Sequence, residues 1–115
     1  MLRFVCKSKI AGAIITKIDL HYGGSIGIDK KILDAANMAP NEVVQVLNQN
    51  NGARFETYII EEKEDSGVIA LYGPAARLGE VGDKLYILTQ GIVEGKELPN
   101  HKIKVVNLDK KNDIM

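Results

Sequence analysis

Glu42-Val43-Val44-Gln45-Val46-Leu47-Asn48 runs through Gln49-Asn50-Asn51-Gly52 into Ala53-Arg54-Phe55-Glu56-Thr57-Tyr58-Ile59-Ile60. The first run carries three valines and the second is aromatic and β-branched, residue types that suit a pleated surface. Asn50-Asn51-Gly52 is a hairpin signal, because a type I′ turn needs positive φ at both central residues and Asn and Gly tolerate it. Two antiparallel strands are predicted here, and with them a pattern for the whole chain: short strands joined by glycine turns.

The flanks continue that pattern. Leu2 to Lys7 predicts a short strand and Gly12 to Leu20 a second, with Ile14, Thr16, Ile18 and Leu20 on one face. Ser25 to Ile28 is a brief extended piece. Asp29 is a good N-cap for a helix over Lys30 to Ala36, which Asn37 and Pro40 stop. Beyond the hairpin, Glu61 to Ser66 is a charged connection, Val68 to Tyr72 a strand, and Gly73-Pro74-Ala75-Ala76 a turn or single helical turn. Lys84 to Thr89 is another strand, followed by a loop holding Gly91, Gly95 and Pro99. Lys102 to Leu108 is the last strand, and Asp109 to Met115 a frayed tail. The fold class predicted is mainly β, a small β-barrel with one or two short helices.

At 115 residues the chain is expected to form one domain. Acidic and basic residues balance at 15 each, so no net field favours nucleic acid or an anionic membrane surface. No apolar run approaches the ~18 residues of a spanning helix, and Ile10 to Ile15 is too short for a secretory signal. The lone Cys6 excludes an internal disulfide, suits a reducing compartment, and reads as a buried small hydrophobe. The histidines and cysteine lack metal-ligand spacing. A soluble cytoplasmic protein is expected.

His21-Tyr22-Gly23-Gly24-Ser25 admits two readings. Gly and Ser abound in turns, so a plain turn is one. The other is a peptide bond placed for self-cleavage. A glycine pair lets the Gly24 carbonyl take an unusual orientation, and Ser25 Oγ could attack it, converting the amide to an ester. Elimination would then leave a new terminus carrying a ketone, a pyruvoyl group.

Several pieces, in order and spacing, decide between these readings: Ser8-Lys9-Ile10, Asp19-Leu20-His21-Tyr22-Gly23-Gly24-Ser25, Leu33-Asp34-Ala35-Ala36, Asn51-Gly52-Ala53-Arg54-Phe55-Glu56-Thr57-Tyr58, Gly73-Pro74-Ala75-Ala76-Arg77 and Val81-Gly82-Asp83. Over residues 1 to about 90 the chain resembles the pyruvoyl-dependent aspartate 1-decarboxylases, which make β-alanine for pantothenate. The resemblance implies a double-ψ β-barrel and a homotetramer with active sites between subunits. It also implies self-cleavage between Gly24 and Ser25 into fragments 1–24 and 25–115.

Decarboxylating an α-amino acid leaves two electrons on the α-carbon, and a cofactor must accept them. A pyruvoyl ketone derived from Ser25 does so after condensing with the amine of L-aspartate, with no need for pyridoxal phosphate or a metal. Tyr58 is the candidate proton donor to that carbon. Arg54 presents a planar fork suited to a carboxylate. It is assigned to the retained side-chain carboxylate, since gripping the departing one would favour the ground state. Lys9 is a second candidate cation. Thr57 is the candidate oxyanion donor in self-cleavage, yet strand alternation points it away from Tyr58. Twist, a bulge or the subunit boundary would have to reconcile the two. Tyr22 is placed in the pocket wall, His21 is a weaker candidate for assisting elimination, and Gly73, Pro74 and Ala75 form a substrate-contacting loop. The chain departs from the family where Pro74 replaces a frequent alanine, Tyr72 an asparagine and Ala11 a histidine. Two rivals are a non-catalytic β-barrel adaptor and a pyruvoyl decarboxylase of another amino acid.

Overall fold

A computed structural model describes residues 1–115. Its strands are β1 (Leu2–Ile14), β2 (Lys17–Asp19), β3 (Ser25–Asp29), β4 (Val43–Asn48), β5 (Arg54–Glu62), β6 (Ile69–Tyr72), β7 (Lys84–Glu94) and β8 (Lys104–Asn107). One α-helix, α1 (Lys30–Ala36), follows β3, and 3₁₀ helices span Gly73–Leu78 and Gly95–Asn100. No helix is long and apolar enough to cross a membrane.

The strands pair in the order β2-β6-β3-β5-β4-β7-β1-β8. β1 and β2 stand near opposite ends of that order but are separated only by Ile15 and Thr16, which reach at most ~10 Å. The ends of the sheet must therefore meet. Thr16 marks the seam, its N–H donating to the Ile69 carbonyl at 2.8 Å. If β1 and β2 are counted as one bent strand, six strands form a closed ring, each with two neighbours. Two pairs are parallel, β2 with β6 and β3 with β5, and the others are antiparallel. Exchanging the first half (β1/β2, β3, β4) with the second (β5, β6, β7) reproduces the same pairings. This two-fold arrangement is the double-ψ barrel, with β8 added parallel to β1 outside the ring.

The core is aliphatic. Ile10, Ile26, Ile28, Ile59, Ile69, Leu71, Leu85 and Ile87 are fully buried, and α1 contributes Ile32, Leu33 and Ala36. The helix starts at Asp29 as expected, and Asn37 ends it in the left-handed conformation at φ 55°. Asp29 also ties down the β5–β6 connection. It accepts from the N–H groups of Lys31, Asp65 and Gly67 at 2.8–2.9 Å.

Four expectations are corrected. Leu2 to Ile14 is one strand, because bulges between Cys6 and Ser8 and between Ala11 and Ala13 carry it on, the second with Gly12 at φ 87°. The real break is at Ile15–Thr16, where the chain changes partners. The hairpin turn is not type I′: of its residues only Gly52 has positive φ, and the Gly52 N–H closes a wider loop on the Asn48 carbonyl at 2.9 Å. β7 does not end at Thr89 but continues through Gly91, pairing with the start of β1. Nor is the tail frayed. Asn112 is buried; its amide donates to the Ile14 and Gly67 carbonyls and its Oδ1 accepts from the Ile14 N–H, at 2.8–2.9 Å.

Candidate active site

β3 begins at Ser25, and that start creates the site. Its parallel register with β5 sets Ile26 beside Ile59. One step back brings Ser25, the first residue of β3, level with Tyr58. On the other side Ser25 pairs directly with Tyr72 of β6. Directly paired residues share a face, so Tyr72, Ser25 and Tyr58 form a row on the outer side of the barrel, away from the Ile26–Ile59 core.

Before Ser25 the chain leaves the sheet, so the β5 edge from Phe55 to Thr57 has no strand on that side. A cleft of about 400 Å³ occupies the gap, lined by Gly24, Phe55, Glu56, Thr57, Tyr58, Pro74, Ala75 and Leu78. This answers the conflict over Thr57 and Tyr58. Alternation holds along β5, with Arg54, Glu56 and Tyr58 exposed and Phe55, Thr57 and Ile59 turned inward. A bare edge is reached from both faces, so both residues line one cleft without a bulge.

Ser25 has no solvent exposure, and its Oγ is the sole buried side-chain polar atom without a hydrogen-bond partner. Leaving such a group unpaired costs about 1–3 kcal/mol. Neither Gly23 nor Gly24 has positive φ. Gly73 does, at φ 65°, and an added Cβ there would strike the Tyr22 carbonyl oxygen and the Gly23 backbone. At Gly24 an added Cβ would rest 3.5 Å from Pro74 Cδ, an ordinary contact.

Tyr22, His21, Arg54 and Lys9 do not line this cleft. Tyr22 is exposed on one side and stacks on Tyr72, centroids 4.6 Å apart. His21 is exposed, its N–H donating to Asp19 Oδ1. Arg54 lies four residues before Tyr58 on the same face of β5, ~13 Å along the strand. Lys9 is on β1, its Nζ 5.4 Å from the Tyr86 ring centroid. Tyr72, noted above only as a departure from the family, and Glu62, which the sequence did not single out, complete the neighbourhood. The Tyr72 hydroxyl donates to Glu62 Oε2 at 2.5 Å, and the Glu62 side chain lies where a Cβ on Gly27 would be. Only the unusual tyrosine at position 72 hinted at this pair.

The family model described as aspartate decarboxylase matches residues 1–115. Among curated relatives, the aspartate 1-decarboxylase of Leptospira biflexa is 52% identical over 113 residues, covering 97% of this chain and 96% of the relative. That of Thermoanaerobacter pseudethanolicus is 51% identical over 112 residues, with the same coverage. The enzyme of Listeria monocytogenes is 49% identical over 114 residues, covering 99% of this chain and 90% of its own.

Proposed function

Because this chain belongs to the aspartate decarboxylase family, we propose that it decarboxylates L-aspartate to β-alanine and carbon dioxide for pantothenate synthesis, after cutting itself between Gly24 and Ser25. The supporting observation is Ser25 Oγ, buried and unpartnered, on the residue that follows cleft-lining Gly24. A hydroxyl kept unpaired at such a position fits the precursor of a pyruvoyl group.

In this reading Oγ bonds to the Gly24 carbonyl carbon, the C–N bond breaks, and the hydroxyl proton passes to the freed amine. Thr57 donates to the oxyanion formed in between. Loss of the Ser25 α-proton then breaks Cβ–Oγ, releasing fragment 1–24 with a Gly24 carboxylate. Water replaces the nitrogen of residue 25, which leaves as ammonia.

The resulting pyruvoyl group supplies the electron sink that α-decarboxylation requires. The side chains do the rest. Arg54 holds the retained carboxylate of aspartate, so that the departing one is not stabilised in the ground state. Lys9 adds a second positive charge. Tyr58 gives the proton of its hydroxyl to the α-carbon. Tyr22 and the loop Gly73, Pro74 and Ala75 wall the substrate; Pro74 has no N–H, so any donor there comes from Gly73 or Ala75. A homotetramer with sites completed between subunits, as the family resemblance implies, belongs to this reading. The setting is cytoplasmic.

Intact mass and denaturing electrophoresis test the cut: two fragments, 1–24 and 25–115, with the larger terminated by a ketone. A panel of aspartate, glutamate and neutral amino acids tests the substrate. A folded chain that stays whole yet turns over aspartate at full speed would refute the mechanism.

A further inference from the structure

The segment before the scissile bond is held in an unusual way. Tyr22, Gly23 and Gly24 are exposed, and no hydrogen bond ties them to the barrel. They rest on two contacts instead. Tyr22 stacks at 4.6 Å on the Tyr72 ring, the planes inclined by 32°. Gly73 approaches the Tyr22 and Gly23 backbone so closely that a Cβ would collide with both. Both supports come from adjacent residues, at the end of β6 and just beyond it.

Tyr72 is itself anchored. Glu62 on β5 is two strands away, with β3 between them. The missing side chain at Gly27 leaves a channel, and Glu62 lies along it until Oε2 meets the Tyr72 hydroxyl at 2.5 Å. A hydrogen bond to a carboxylate is about twice as strong as a neutral one. Lys17 Nζ stands 5.4 Å from the centroid of the same ring and adds a cation–π contact. Burial and Glu62 both raise the phenol's pKa, so its proton stays on oxygen. Tyr72 is also the direct sheet partner of Ser25, on the same face.

We propose that Tyr72, fixed by Glu62 through the gap at Gly27, is a positioning residue for self-cleavage: its ring props Tyr22 to Gly24 so that the Gly24 carbonyl stays within reach of Ser25 Oγ. This rests on the self-cleavage reading and extends it to residues with no part in decarboxylation. Tyr72→Phe keeps the ring and loses the anchor, Glu62→Ala loses the anchor from the other side, and Glu62→Gln keeps an acceptor. A shift of ~1 Å at reacting atoms is worth up to ~100-fold.

The test follows loss of the full-length band with time in freshly made protein. Turnover is measured per cut chain, and melting is measured in a Ser25→Ala background, where nothing can cut. Tyr72→Phe and Glu62→Ala should slow cutting by about ten- to a hundredfold, with Glu62→Gln near wild type and turnover per cut chain unmoved. Three outcomes overturn the proposal. The first is wild-type cutting rates in both anchor variants. The second is slowing that tracks a fall in melting temperature. The third is normal cutting with lost turnover, which would move Tyr72 into decarboxylation. Failure of the wild-type chain itself to cut would overturn the self-cleavage reading and this proposal with it.

Discussion

Ser25 and Tyr72 face each other directly across β3 and β6, yet the serine hydroxyl takes no partner while the phenol bonds to Glu62. A buried hydroxyl without a partner lowers stability, so its removal should not harm the fold. We expect Ser25→Ala to remain one uncut band. It should match or exceed uncut wild-type protein in urea unfolding, by up to ~1 kcal/mol. A clear loss of stability would show that Oγ makes a hydrogen bond after all.

Thr57 lines the cleft beside Gly24 from the inward face of β5. Loss of one oxyanion donor costs about 2.7–4 kcal/mol in the transition state. Thr57→Ala should therefore cut about a hundredfold to a thousandfold more slowly, and Thr57→Ser should recover much of the rate. Timed electrophoresis decides it; equal rates for Thr57→Ala and wild type would remove Thr57 from the chemistry.

Tyr58 is 41% exposed at the cleft. Its hydroxyl can be deleted with little effect on folding, within about 0.5 kcal/mol. Tyr58→Phe should cut normally but lose ~10²–10⁴ in decarboxylation, the range of a general acid. Retention of full activity by the cut variant would reassign the proton.

Arg54 is exposed and unpaired with any acid in the chain. A hydrogen bond to a charged group contributes about 1.5–3 kcal/mol, so Arg54→Ala should raise KM for aspartate by roughly ten- to a hundredfold. Steady-state kinetics across a substrate panel is the check. An unchanged KM would place the carboxylate elsewhere.

Burial, and then the hydrogen bond to Glu62, push the Tyr72 phenol above its ordinary value of 10.0. The unfolded chain therefore releases this proton first. The contribution to stability is whole below pH ~10 and is lost as pH rises through the raised native value. Chemical unfolding between neutral and strongly alkaline pH should show stability declining at the top of the range, and less steeply in Tyr72→Phe. Identical slopes for the two proteins would mean that the phenol titrates normally.

Local chemistry explains which parts could be read from the chain alone. α1 was legible because Asp29 and the spacing of Ile32, Leu33 and Ala36 act within a few residues. The β4–β5 hairpin was legible too, though not its turn, since a wider loop needs positive φ only at Gly52. The break at Thr16 and the burial of Asn112 depend on partners 45 to 98 residues away, which no local pattern encodes. The same holds at the site. Gly24, Thr57 and Tyr58 could be named from their motifs, but that one cleft reaches both faces of β5 follows from where β3 starts. The Glu62–Tyr72 bond requires β3 to lie between β5 and β6 with a glycine at the crossing.

The ring of strands has a last implication for the life of the molecule. A nick after Gly24 falls between β2 and β3, outside every ladder, so the short piece stays clasped by β6, β7 and β8 like a stave in a cask. What changes is the reverse journey. Once severed, the two pieces can part on denaturation, so reassembly becomes a bimolecular encounter. Dilution should then lower the melting point of aged protein more steeply than that of newly translated material, in which each chain is still whole.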